Sequence, residues 1–144
     1  MPLNEELIQE TLNLARHLSS TCDDCELTMI QLRTVLFVAK HGVVKSVDIA
    51  KEFLITSATV TPQIDNLTQN GWLKRTFNKN DRRVIDISLT KRAKQDLPLQ
   101  VKKVVEANKW IFDILSKKEK KLFLSTLKKV HKNAHTLPHG TIKS

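Results

Sequence analysis

Tyrosine is missing from this 144-residue chain, glycine occurs three times, proline four times and cysteine twice. So few glycines, with no internal repeat and no low-complexity segment, point to a mostly helical chain. No glycine-rich phosphate loop is present, and no Ser, His and Asp arrangement rises above chance, so enzymatic chemistry has little to work with and no cofactor is implied. No apolar run approaches the ~20 residues that span a bilayer, and no signal peptide is visible, so no membrane partner is expected. Two cysteines without a secretion signal suggest a reducing, cytoplasmic setting.

What is abundant is positive charge. The chain carries 24 Lys or Arg against 15 Asp or Glu, a net of +9. That balance favours an anionic partner, nucleic acid before membrane. The charge is uneven: residues 1–26 hold six acids and one Arg, whereas residues 95–144 hold eleven Lys and four acids. With 40% apolar residues the chain can build a real core.

The organising stretch runs from Leu54 to Leu89. Val60, Ile64, Leu67 and Gly71 recur at helical spacing and form one narrow face. Ala58, Pro62, Asp65, Asn66 and Gln69 fall opposite, flanked by Thr59, Thr61 and Gln63. That outer surface is nearly uncharged yet rich in short hydrogen-bonding groups, which suits base edges in a major groove better than plain solvation. Pro62 is the awkward residue: inside a helix it removes a backbone bond. Either the helix bends slightly there, or it begins in earnest near Pro62.

Leu73, Arg75 and Phe77 then alternate with Trp72, Lys74 and Thr76, and Ile85, Ile87 and Leu89 alternate with Val84, Asp86 and Ser88. Both patterns have the period of half-buried strands. The turn formers between them, Asn78 to Arg83, make the pair a hairpin with a basic tip. Residues 72–94 hold eight Lys or Arg against two Asp. Arginine at such a tip suits a narrow minor groove, where the potential is most negative; the blander reading is a solvated hairpin.

Leu27-Thr28, Gln31-Leu32-Arg33, Asp48-Ile49-Ala50, Thr56 through Thr61, Asn70-Gly71, Asp81-Arg82-Arg83 and Ser88-Leu89-Thr90 together resemble the MarR family. The likeness covers roughly Leu27 to Leu97. It implies a mainly α winged helix-turn-helix with a small β-hairpin wing, in which long N- and C-terminal helices form a dimerisation region. It also implies a homodimeric transcription regulator, usually a repressor, released by a small-molecule effector or by thiol oxidation. Asp81 and Arg83 then occupy the wing motif. Ala93 stands where the family usually has Gly, and Cys22 and Cys25 are not a general family feature.

On this reading Ser57, Ala58, Thr59, Thr61, Pro62, Gln63 and Asn66 face base edges and nearby phosphates of double-stranded DNA. Lys79, Arg82 and Arg83 enter or flank the minor groove, Lys74 and Arg75 hold phosphates, and Asp81 positions an arginine.

The rest of the chain supplies the frame. Residues 1–26 give a dimerisation helix (Asn4 to Leu18) and a cysteine-bearing loop, 27–97 the winged region, and 98–144 the C-terminal dimerisation helices, all in one compact domain. Thr28 with Gln31 forms a capping box, and Leu32, Val35, Leu36 and Ala39 make the buried face of a helix ended by Gly42. Ser46 caps a short helix with Ile49, Ala50, Phe53 and Leu54 inward, and Thr56 or Ser57 caps the next. After Thr90 a long helix runs from Lys91 to Leu115 with a kink at Pro98. Ser116 with Glu119 starts the last helix, which Pro138 and Gly140 stop. The broad stripe of Leu7, Leu14, Leu18, Ile8 and Leu12, and that of Leu124, Leu127 and Val130, call for a partner surface. The acidic first helix would lie against the lysine-rich last one, whose lysines are otherwise a solvated face.

Cys22 and Cys25 have the C-x-x-C spacing of a disulfide or of half a metal site. His17, His131 and His135 could complete a tetrahedral set, although His131 and His135 alone read as exposed histidines. Asp23 and Asp24 should raise the thiol pKa, which argues against a reactive thiolate. Inert cysteines, a redox switch and a metal site all stay open. So do two other classes: a thiol-redox or metal-binding protein, and a winged helix that binds protein.

Overall fold

The structure, a computed structural model, describes residues 2–18 and 24–136. Its chain divides into two compact units, Met1–Ala107 and Asn108–Ser144.

In the first unit, α1 (Leu3–Leu18) is followed by α2 (Met29–His41), α3 (Ser46–Phe53) and α4 (Ser57–Gln69). The antiparallel strands β1 (Leu73–Phe77) and β2 (Ile85–Leu89) form a hairpin in which Leu73 pairs with Leu89 and Phe77 with Ile85. α5 (Lys91–Asn108) closes the order. The architecture is the expected mainly α winged helix-turn-helix.

The core collects one face from each of α2 to α5 and from the hairpin. Leu32, Val35 and Val38 of α2 meet Ile49 and Ala50 of α3, Val60, Ile64 and Leu67 of α4, Trp72, Leu73, Ile87 and Leu89 of the hairpin, and Ala93 and Leu97 of α5. This burial explains why α4 tolerates Pro62. A proline inside a helix costs about 3 kcal/mol, whereas each fully buried Val, Ile or Leu contributes about 1.5–3 kcal/mol. Val60, Ile64 and Leu67 are all completely buried, so α4 runs continuously from Ser57 through Pro62 to Gln69.

Helix ends follow local chemistry. Thr28 Oγ1 accepts from Gln31 N at 3.2 Å while Gln31 Oε1 accepts from Thr28 N at 2.9 Å, completing the capping box. Gly42 ends α2 with φ 79°, a conformation that excludes most side chains. Ser46 does not cap α3 but is its first residue. Lys45 is the N-cap, and its N–H donates to Asp48 Oδ2 at 2.8 Å. Leu54 is not inward either. It ends α3 at φ 55° with 68% of its surface exposed, and Ile55 takes its place against the core.

Three other expectations are corrected. On α2, Leu36 and Ala39 are exposed, and Thr34 and Val38 are buried in their place; the Thr34 hydroxyl is satisfied by the Ile30 carbonyl at 2.8 Å. β1 buries only Leu73, leaving Arg75 and Phe77 exposed, although Ile87, the cross-strand partner of Arg75, is fully buried; beyond Leu73 the core lies under β2 and not under β1. The long helix after Thr90 stops at Asn108, where the chain tightens into a 3-10 turn, Lys109–Phe112. Pro98 lies inside the continuous part.

The second unit holds that turn and α6 (Lys117–Thr136). Ser116 N donates to Glu119 Oε2 at 2.7 Å and Glu119 N to Ser116 Oγ at 3.2 Å, the second expected capping box. The expected stop at Pro138 and Gly140 lies outside the described residues. Neither α1 nor α6 contains a buried residue. Leu3, Leu7, Ile8 and Leu12 on one, and Leu122, Leu124, Leu127 and Val130 on the other, are exposed. Among the described residues no helix is long and apolar enough to cross a membrane.

Candidate nucleic-acid interface

α4 begins where Thr56, in an extended conformation, turns its hydroxyl to the Thr59 N–H at 3.3 Å. The Thr61 hydroxyl donates back to the Ser57 carbonyl at 2.9 Å. It can still accept from outside, and the other groups of this face remain open to solvent. Ser57, Ala58, Thr59, Thr61, Pro62 and Asn66 are exposed and Gln63 is half-buried. The helix thus presents the predicted set on one outer surface while Val60, Ile64 and Leu67 hold it down.

Two members of that surface are committed to partners that periodicity does not reveal. Asp65 pairs with Arg75 of β1, so the arginine predicted to hold a phosphate also braces the helix against the hairpin. Asn66 Oδ1 accepts from Gln31 Nε2 at 2.8 Å and from Asn70 Nδ2 at 3.0 Å. Lys74 is exposed on the same strand as Arg75.

The wing tip is folded by its own side chains. Asn78 N donates to the Val84 carbonyl at 2.9 Å, and Asn78 Oδ1 accepts from the Asn80 and Asp81 N–H groups at 2.9 and 3.3 Å. Asp81 then grips Arg83 three times. Oδ1 accepts from the Arg83 N–H at 3.0 Å and from Nε at 3.1 Å, and Oδ2 accepts from Nη2 at 3.2 Å. The Arg83 guanidinium holds the Asp81 carboxyl below its ordinary pKa. The aspartate therefore sets the rotamer of an arginine whose side chain is 91% exposed. Lys79 and Arg82 are exposed beside it.

The base of the wing is fixed from the other side. Val44, between α2 and α3, exchanges both backbone hydrogen bonds with Ile87, at 3.0 and 2.8 Å. Next to this bridge a cleft of about 620 Å³ opens, with Val38, Val43, Leu89 and Leu97 on its walls and Lys74 and Lys94 among its polar groups.

Cys25 is disulfide-bonded, and Cys22 lies outside the described residues. His17 is exposed on α1, and His131 and His135 stack edge-to-face on α6 with ring centroids 4.4 Å apart. Among the described residues no group of three His, Cys, Asp or Glu is placed to hold a metal ion.

Residues 27–85 match the model of the MarR family. Over 93 residues the chain is 28% identical to the HTH-type transcriptional regulator YwhA of Bacillus subtilis, a match spanning 65% of this chain and 67% of that protein. Over 63 residues it is 41% identical to the HTH-type transcriptional repressor MdtR of the same organism, spanning 44% of this chain and only 41% of that relative. Both are named as transcriptional regulators rather than enzymes. A mutant MarR from E. coli, solved in complex with operator DNA, superposes with a TM-score of 0.71 at 21% identity, over 90% of this chain and 94% of that one. The family match covers the helix-turn-helix and the wing tip, and the same fold extends around it, so in this region the chain is similar to the MarR family.

Proposed function

We propose that this protein is a sequence-specific regulator of transcription that binds double-stranded DNA as a homodimer and acts as a repressor on a near-palindromic operator. The observation that carries the reading is the exposed, nearly uncharged polar face of α4 beside a basic wing tip. Such a face discriminates base edges in a major groove, while Lys79, Arg82 and Arg83 meet the stronger negative potential of the adjacent minor groove. Lys74 and Arg75 neutralise phosphates. Two copies would set their reading helices about 10 base pairs apart.

The dimer is favoured by the exposed apolar stripes of α1 and α6, which a single chain leaves in water. The MdtR relative is named as a repressor, which supports that sense of regulation here. Release from DNA would come from a small-molecule effector in the cleft beside Val44, or from oxidation of the reduced cysteines to the disulfide in which Cys25 is held.

The test is recovery of DNA from a random-sequence pool, followed by titration of the recovered duplex at several salt concentrations. A palindromic consensus and affinity falling steeply with salt support the reading. A pool that stays random would remove it and favour a winged helix that binds protein.

A further inference from the structure

Glu26 lies in the connection between α1 and α2, and it reaches three residues, one in the turn before β1 and two in α5. Its Oε1 accepts from the Trp72 indole Nε1 at 3.0 Å and from Arg92 Nη2 at 2.5 Å, while its backbone N–H donates to Gln100 Oε1 at 3.2 Å. Arg92, near the start of α5, donates from Nη1 to the Asn70 carbonyl at 2.5 Å and from Nε to Asp96 Oδ2 at 3.2 Å. Its guanidinium carbon stands 5.0 Å from the centre of the Trp72 ring.

Asn70 is the C-cap of α4. Its carbonyl belongs to the negative end of that helix, where a guanidinium is favoured by charge as well as by hydrogen bonding. The backbone makes room for it. Gly71 follows at φ 76°, and a Cβ there would come within 3.2 Å of Arg92 Nη1. Trp72 is fully buried and has one polar group to satisfy, which Glu26 does. The carboxylate thus fixes the guanidinium, the guanidinium fixes the end of the reading helix, and the indole fixes the carboxylate.

We infer that Glu26 and Arg92 are positioning residues for DNA reading: together they set where the C-terminal end of α4 lies, and with it the base preference of a face they do not themselves occupy. The inference rests on the DNA-binding reading above. A loose brace leaves phosphate contacts largely intact, because these follow charge, but it degrades hydrogen bonds to base edges, which need fixed geometry.

The experiment compares two duplexes, one recovered by the wild-type protein from a random-sequence pool and its scrambled counterpart. Glu26→Gln keeps an oxygen for the Trp72 N–H and removes only the charge facing Arg92. Arg92→Met removes the brace, and Arg92→Lys keeps the charge but cannot span three acceptors. The preference for the recovered duplex should fall about tenfold in Glu26→Gln and Arg92→Met, the size of one mismatched base pair, with scrambled-duplex affinity unchanged. Arg92→Lys should recover only part of the preference. Equal losses on both duplexes, or no loss on either, would overturn the positioning role. A wild-type protein that recovers no preferred duplex would instead defeat the DNA-binding reading, and the inference with it.

Discussion

Gln31 holds Asn66. Its Nε2 donates to Asn66 Oδ1 at 2.8 Å while its Oε1 closes the capping box at the start of α2, so one amide serves a helix start and the polar face of α4 together. Gln31→Leu should lose both, with destabilisation of about 1 kcal/mol, the usual value of a cap. Gln31→Glu keeps the cap and turns a carboxylate oxygen towards Asn66, so it should retain more stability. Urea midpoints of the two variants decide whether the second role has energetic weight.

Leu54 predicts a stabilising change. A non-glycine residue at φ 55° costs about 1–2 kcal/mol, and Leu54 is too exposed to recover it by burial. Leu54→Gly should raise stability by about 0.5–1 kcal/mol after the greater freedom of glycine in the unfolded chain is deducted. A lower thermal midpoint would show that Leu54 makes contacts of value in its exposed position.

The wing and the reading helix should respond differently to truncation. Arg83→Ala should weaken binding to all duplexes and shallow the salt dependence by about one phosphate contact. Gln63→Ala should redistribute preference among sites by ~1 to 3 kcal/mol at one base pair. Binding isotherms across a panel of single-base variants separate the two; identical behaviour would refute this division of labour.

Glu26 gives a pH dependence with a definite sign. The hydrogen bond from Arg92 is the largest of the influences that lower its pKa below the ordinary value of 4.5, outweighing partial desolvation. A carboxyl depressed in the folded state stabilises it above the unfolded pKa, and that contribution fades as pH falls through the folded value. Wild-type protein should therefore exceed Glu26→Gln in stability at pH 7, and the gap should close in acid below pH 4.5. A gap that is constant with pH would mean that the charge is not what matters.

Assembly is tested at α1. Ile8 and Leu12 are exposed there, and Ile8→Glu with Leu12→Glu should give monomers in sedimentation velocity while helical circular dichroism persists. Reversing Glu5, Glu6 and Glu10 to Lys should weaken the dimer at low salt only, because exposed ion pairs are individually small and screened.

The sequence revealed those parts whose cause is local. Thr28 with Gln31 and Ser116 with Glu119 announce helix starts because a cap needs only residues three apart. Val60, Ile64 and Leu67 announce a buried face because helical geometry puts them on one side. β1 was misread beyond Leu73 because alternation tells which residues share a side, not how far the core extends beneath them. The brace on α4 was invisible for a different reason. Glu26 and Arg92 meet only after the chain has folded back through three helices and a hairpin, and ion pairs of that kind leave no periodicity. Arg92 with Asp96, one helical turn apart, was the only part of that network within reach of spacing rules.

The bridge between Val44 and Ile87 gives the wing the mechanics of a cantilever. Ile87 sits midway along β2 and is clamped on both edges, by Arg75 of β1 and by Val44. Beyond it the hairpin loses its buried footing, and the Asn78 and Asp81 side chains keep the tip folded as a small rigid block. Bending therefore concentrates in the short span between the clamp and the block. A wing built this way would carry its arginines along the minor groove proposed for them with its tip still folded.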